Sequence, residues 1–191
     1  MGAEPMLPTS EPPTLDAKPA SAARTRLARI MSGTDTNLHG NIHGGVIMRI
    51  VDDVGGATAA RHSGGRAVTA SMDEMVFLIP VRVGDLVTAS AQVNWAGKTS
   101  MEVGVRVSAE RWDEAGQVPT HVASAYLVYV AVDEFGCPRA VPPVLPQTPA
   151  ERQREHEAEI RRESRLARRT AIVKLRSARG EPVERGARFG D

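Results

Sequence analysis

Between Asp85 and Arg111 the chain changes polarity at almost every residue. Val87, Ala89, Ala91, Val93 and Trp95 alternate with Thr88, Ser90, Gln92 and Asn94. After Ala96-Gly97-Lys98 the pattern resumes, with Met101, Val103, Val105, Val107 and Ala109 against Glu102, Gly104, Arg106, Ser108 and Glu110. Successive side chains of a strand point to opposite faces, so two alternating runs joined by a short turn predict an antiparallel hairpin with one apolar face. That face requires a cover, and the rest of the sequence is read for what supplies it.

Two longer runs and one short one extend the hairpin into a sheet. Arg66 to Ile79 opens with alternation, closes on Val76-Phe77-Leu78-Ile79 and stops at Pro80. Thr120 to Val132 is apolar on both faces and reads as a central strand, and Leu27 to Met31 as a first strand. Turn residues fill the connections at Val83-Gly84-Asp85, Asp113 to Gly116 and Asp133 to Gly136. The cover is a helix from about Gly45 to Arg61. At roughly 100° per residue, Val46, Ile47, Ile50, Val51, Val54, Ala57 and Thr58 fall on one arc. His62-Ser63-Gly64-Gly65 then places glycine where a helix C-cap needs it. One long helix followed by an antiparallel meander is an α+β architecture, a sheet wrapped across a single buried helix. A hydrophobic content of 41% with only 4% aromatic predicts a core of Val, Ile, Leu, Ala and Met.

The ends differ in kind. Residues 1–22 hold five prolines among Ser, Thr, Ala and Glu and predict a disordered segment. Beyond Pro142-Pro143, Thr148, Pro149 and Glu151 form an N-cap, a proline at N1 and a carboxylate at N3. A charged helix is expected to about Leu175. Its apolar positions are sparse (Ile160, Leu166, Ala167, Ile172, Leu175), which predicts weak docking, and disorder is expected from Ser177. The division is therefore a segment 1–22, a globular domain 23–145 and a charged extension 146–191. From Glu151 onward the sequence carries 12 Lys+Arg and 8 Asp+Glu, leaving 12 and 15 before it, so the globular part is mildly acidic.

Several functions are excluded on motif. There is no Gly-x-Ser-x-Gly elbow. Gly97-Lys98-Thr99 resembles the end of a phosphate loop, but Gln92 stands where its first glycine belongs and a strand follows instead of a helix. His39 and His43 flank Gly40 in a loop with no Glu after His39, so no metal site is expected. The single Cys137 excludes an internal disulfide and reads as a spectator, consistent with a cytoplasmic protein. The basic tail lacks aromatic interleaving and alternates Arg with Glu, so it reads as a solvated helix or subunit contact and not as a nucleic-acid surface. No apolar run approaches the ~20 residues of a membrane span, and no membrane or signal segment is read.

The stretch Asn37 to Asp52 carries the chemistry. It is a polar loop that opens into the helix at Gly44-Gly45, where the backbone amides have no side chain over them and sit at the positive end of the helix dipole. Such amides stabilise a carbonyl oxygen that gains negative charge. Asp52, seven residues on, falls opposite the sheet-facing arc, beside Met48, Gly55, Gly56 and Ala59. That side is small and apolar where a solvent face would carry Lys or Glu, so a ligand, a second subunit or both are expected against it.

Asn37, Gly40, Gly44-Gly45, Asp52, Phe77-x-x-Pro80, Val83-Gly84-Asp85, Gly97-x-Thr99-Ser100 and Tyr129 to Asp133 occur in an order that resembles the hotdog-fold acyl-CoA thioesterases, the YciA-like and brain acyl-CoA hydrolase-like group. The resemblance covers about residues 26 to 143. It departs at His43, where the family commonly has an apolar residue before the paired glycines.

The resemblance implies hydrolysis of an acyl-CoA to free acid and coenzyme A, with no cofactor besides coenzyme A as part of the substrate. It carries over Asp52 as general base or nucleophile, Asn37 as the residue that positions water or carbonyl, and the Gly45 amide as oxyanion donor. Gly44, His43 and Thr69, with Lys98, Thr99 and Ser100 toward coenzyme A, complete the expected substrate-binding set. Seven residues of helix put Gly45 and Asp52 about 10 Å apart, too far to act on one carbonyl. A site shared by two protomers is therefore expected, in a homodimer that assembles into a hexamer (a trimer of dimers) or a tetramer. Asp53 is the second candidate carboxylate. The competing readings are a hydratase of the same fold using an Asp/His pair, and a non-catalytic acyl-CoA-binding module.

Overall fold

The protein is described here by a computed structural model covering residues 15–114 and 118–179. In chain order the elements are β1 (Lys18–Pro19), β2 (Thr25–Ile30), α1 (Gly44–Ser63), β3 (Ala67–Phe77), β4 (Asp85–Ala96), β5 (Ser100–Arg111), β6 (Thr120–Ala131), β7 (Val144–Leu145) and α2 (Pro149–Ala178). Five strands form one sheet in the order β2-β4-β5-β6-β3, every neighbouring pair antiparallel. The expected disorder at residues 1–14 and 180–191 lies outside the described residues, while Ser177 and Ala178, expected to be disordered, are the last residues of α2.

The alternating runs behave as their periodicity requires. Val87, Val93, Val103 and Val107 are fully buried, and they meet Ile47, Ile50, Val51 and Val54 of α1 in one core. Each such side chain contributes roughly 1.5–3 kcal/mol on full burial. Gly64 ends α1 at φ 73°, a left-handed conformation that favours glycine, with its amide on the Ala60 carbonyl. In β6 both faces are buried, Leu127 and Tyr129 toward α1 and Val128 and Val130 on the other side, as a central strand demands.

Local pattern misplaced several pieces. Lys18 to Ala22, read as part of a disordered segment, are packed: β1 pairs in parallel with β7, and Ala20 is buried, as is Ala23 just beyond. The first strand of the main sheet begins at Thr25, and Met31 leaves it to bury in the core. β3 stops at Phe77, and Leu78 and Ile79 are exposed despite their apolar character. On α1 the buried arc is rotated toward Asp52: Ala57 is exposed, while Gly55 and Ala59, placed on the opposite side, are buried. The cause is Tyr129, whose ring lies against Gly55 so closely that an added Cβ would overlap its hydroxyl.

α2 begins as its sequence predicts, with a reciprocal capping box between Thr148 and Glu151 and proline in the first turn. Its docking is stronger than its sparse apolar residues predict, because charge holds it. Glu151 pairs with Arg24 at 2.7 Å, Arg161 forks onto buried Glu102 at 2.7 and 3.0 Å, and Arg165 pairs with Asp73 on β3. Arg161 also stacks on Tyr126, 3.6 Å from the ring centre, and Ala158 is buried at the contact. Glu102 and Tyr126 point away from α1, so the two helices cover opposite faces of the sheet. Among the described residues no helix is long and apolar enough to cross a membrane.

Candidate active site

Asp35, which the sequence reading did not single out, anchors the start of α1. Its buried carboxylate accepts the Ser32 amide and hydroxyl and both reaches of Arg29 Nη2, at 2.8–3.0 Å. Those hydrogen bonds, led by the Ser32 backbone and opposed by burial, hold its carboxyl below the usual value. The Asp35 carbonyl takes the His43 amide, and the Val81 carbonyl takes the Ile42 amide. Between these points Asn37 closes the loop, its Oδ1 accepting the amides of His39 and Asn41. Its side-chain amide nitrogen makes no hydrogen bond among the described residues.

His43 is the N-cap of α1, and its Nδ1 accepts the Gly45 amide at 2.9 Å. The amide read as bare is thus covered by an imidazole of its own chain, a side-chain cap that the sequence spacing did not reveal. Gly44 beside it packs on the Phe77 ring, 3.5 Å from where a Cβ would stand.

Asp52 lies two turns further along α1. Its Oδ1 accepts Thr69 Oγ1 at 2.7 Å and the Tyr129 hydroxyl at 3.1 Å. Thr69 and Tyr129 are a directly opposed pair across β3 and β6, so sheet register delivers both hydroxyls to one carboxylate oxygen. Burial, with the Asp52 carboxylate next in effect, pushes the Tyr129 hydroxyl well above its ordinary pKa, so it stays a donor. Asp52 Oδ2 has no partner among the described residues. Asp53, by contrast, is exposed and sits 3.9 Å from Arg49 in a surface pair one turn back.

The hairpin between β4 and β5 approaches the same end of the sheet. Met101 pairs with Tyr129 and Ser100 with Val130, while the carbonyls of Thr99 and Lys98 accept the amides of Ala131 and Val141. Lys98 is exposed, Thr99 half-buried, and Ser100 is buried in the ladder and not presented at a tip. The expected residues therefore form two groups within one chain. Asp52 and Thr69 join, with the hairpin at their end; Asn37, His43, Gly44 and Gly45 gather at the helix start. The helix between holds the two groups apart. Tyr129 was missed as a site residue; the signal available was one aromatic on the inner face of a central strand, opposite paired glycines on the helix.

Comparison with known proteins agrees with this fold. A family model described as the thioesterase superfamily matches residues 39–114. The chain is 35% identical over 151 residues to a mouse cytosolic acyl coenzyme A thioester hydrolase, spanning 78% of this chain but 40% of that protein. It is 37% identical over 146 residues to the Bacillus subtilis protein YkhA, named an uncharacterized acyl-CoA thioester hydrolase, covering 76% of this chain and 84% of that one. A Staphylococcus aureus acyl-CoA hydrolase, solved with butyryl coenzyme A, coenzyme A and coenzyme A disulfide, superposes with a TM-score of 0.78 at 33% identity, over 86% of this chain and 99% of that one. A hexameric acyl-CoA thioesterase solved without ligand gives 0.77 at 36% identity, over 81% and 97%. With its helix, sheet order and these matches, the chain belongs to the hotdog-fold thioesterase superfamily of acyl-CoA thioester hydrolases.

Proposed function

We propose that the protein hydrolyses acyl-CoA thioesters to free carboxylic acid and coenzyme A. The observation that carries the reading is the clamped carboxylate: Thr69 and Tyr129 fix Oδ1 of Asp52 and leave Oδ2 for a water molecule. Asp52 as general base takes a proton from water as its oxygen attacks the thioester carbon. The tetrahedral oxyanion forms, the C–S bond breaks, and the proton passes to the departing thiolate. The α1 N-terminal amide at Gly45 would stabilise the oxyanion, and Asn37, with its free side-chain NH₂, would orient water or carbonyl. Gly44, Thr99, Ser100 and Lys98 complete the proposed contacts to substrate, His43 lines the same pocket as the cap on Gly45, and no cofactor is invoked.

Because α1 separates Gly45 from Asp52, the reading assigns the two to different protomers of a homodimer, assembled further into a hexamer or a tetramer. β3 is an edge strand of the described sheet, pairing on one side with β6 and exposing Val68, Met72 and Val76. An apolar unpaired edge favours addition of a second copy's strand. The hexameric relative supports the assembly, and the cytosolic relative supports a cytoplasmic location. Hydrolysis is favoured over hydration because His43 commits its Nδ1 to Gly45 and stands nine residues from Asp52.

The test is release of free thiol from short-, medium- and long-chain acyl-CoA. Asp52→Asn is expected to lower kcat by about 10²–10⁴-fold with an unchanged melting temperature, and Asp53→Asn to retain activity. Mixing Asp52→Asn with Asn37→Ala protomers is expected to restore part of the lost rate. Near-wild-type turnover in Asp52→Asn removes Asp52 from the mechanism, and mixed oligomers with no gain remove the shared site.

A further inference from the structure

The sheet face turned away from α1 holds a cleft of about 420 Å³ between the strands and the first turns of α2. Its floor is one row across three strands and a fourth. Arg26 on β2 pairs with Ser90 on β4, Ser90 with Arg106 on β5, and Arg106 with Ser124 on β6. Arginine and serine thus alternate along the row, and all four line the cleft. α2 adds Arg154 from above, and Glu157 is the one acidic residue of the lining.

Among the described residues Arg26, Arg106 and Arg154 form no ion pair. Arg26 donates only to the neutral Ser90 hydroxyl, at 3.2 Å. This sets them apart from Arg24, Arg161 and Arg165, which have carboxylate partners on the same face. Two further lining groups, Gln92 Nε2 and Asn94 Oδ1, are buried with no partner among the described residues. Unpaired like charges converging on one concavity repel one another, and a multiply charged anion relieves that repulsion.

We propose that this cleft binds a small molecule bearing a diphosphate. Arg26 and Arg106 stand two strand spacings apart, roughly 9–10 Å between backbones, so their forks can grip two neighbouring phosphoryl groups from opposite sides. Arg154 closes the third side, and the serine hydroxyls donate between them. Guanidinium groups match phosphate oxygens in bidentate fashion. Three unpaired arginines against the one carboxylate of Glu157 leave a net charge of +2, which fits a diphosphate and is excessive for a monocarboxylate. The volume lies within the range of small-ligand sites. The cleft lies across the sheet from Asp52, so its ligand is separate from the reacting acyl group.

The experiment is calorimetric titration of the full chain with sodium pyrophosphate at constant ionic strength. One saturable site per protomer is expected. Affinity is expected to fall by at least about tenfold in Arg106→Ala combined with Arg154→Ala, the loss of charge-assisted hydrogen bonds, with circular dichroism and thiol-release KM unchanged. Arg26→Ala alone is expected to weaken binding as well. Competition by ADP identifies free nucleotides as a source of the diphosphate and supports the site; a raised thiol-release KM in the double variant overturns the proposal, because the cleft then belongs to substrate binding. Absence of saturable heat overturns the proposal, as does pyrophosphate binding that the double variant leaves intact. Dissociation of the oligomer in the double variant also overturns it, because the cleft is then a seam between copies.

Discussion

The Tyr129 hydroxyl lies 3.1 Å from Asp52 Oδ1 and 3.2 Å from the Asp52 carbonyl, sharing one proton between the two acceptors of a residue 77 positions away. The contact exists because Gly55 has no side chain to hold the ring off the helix. Removing the hydroxyl leaves Thr69 as the one clamp on the carboxylate among the described residues. Tyr129→Phe is expected to lower kcat about tenfold with KM little changed, the loss of one hydrogen bond to a charged group. Gly55→Ala is expected to reproduce that defect and to destabilise by about 1–3 kcal/mol through overpacking. Steady-state kinetics and thermal melts check both; wild-type values in Gly55→Ala would show that the ring is not held by that contact.

At the start of the helix His43 occupies the Gly45 amide. A substrate oxygen that uses this amide must first displace the imidazole. His43→Ala is therefore expected to lower stability by about 1 kcal/mol, the usual cost of a lost cap. The same change is expected to raise kcat/KM by about fivefold, since the displaced contact is no longer paid for by substrate. Chemical denaturation and initial rates measure the two effects together. A fall in kcat/KM would assign the imidazole a part in the chemistry.

His62 predicts a pH dependence of stability. Its ring is fully buried, Nε2 donates to the Pro142 carbonyl at 2.9 Å, and Nδ1 has no partner among the described residues. Burial pushes its pKa down, outweighing the upward pull of Pro142, and the Lys18 charge adds to the fall. The folded pKa lies below the unfolded value of about 6.5. The unfolded chain then binds the proton more readily, so stability is full above that value and is lost as pH falls toward the folded pKa. Melting temperature is expected to decrease from about pH 8 to about pH 5.5, and less steeply in His62→Gln. Parallel slopes in the two proteins would refute the assignment.

The Arg161–Glu102 pair tests how α2 is held. Glu102 is 2% exposed, and without Arg161 its charge keeps, among the described residues, the Asn94 amide alone. Breaking such a pair from one side costs about 3–5 kcal/mol, whereas replacing both partners by apolar residues is nearly neutral. Arg161→Ala is expected to destabilise by that amount and to expose α2 to limited proteolysis. Glu102→Leu with Arg161→Met is expected to restore most of the loss. Equal destabilisation in the single and double variants would show that the pair does not hold the helix.

What was legible in the sequence was local. The period-two alternation of β4 and β5, the glycine C-cap at Gly64 and the Thr148–Glu151 box depend on residues a few positions apart, and each was read correctly from spacing alone. The loop-to-helix step at Gly44-Gly45 was visible for the same reason, whereas Asp52, placed opposite the sheet-facing arc, bonds Thr69 and Tyr129 of the sheet. Tertiary structure decided the remainder. Register across β3 and β6 brings Thr69 and Tyr129 to Asp52, rotates the buried arc of α1, and sets arginines and serines in one row on the far face. Buried carboxylates on the strands, invisible to a count of apolar positions, dock α2. Strand pairing joins residues by hydrogen-bond register and not by sequence distance, so no local pattern states which side chains it will place together.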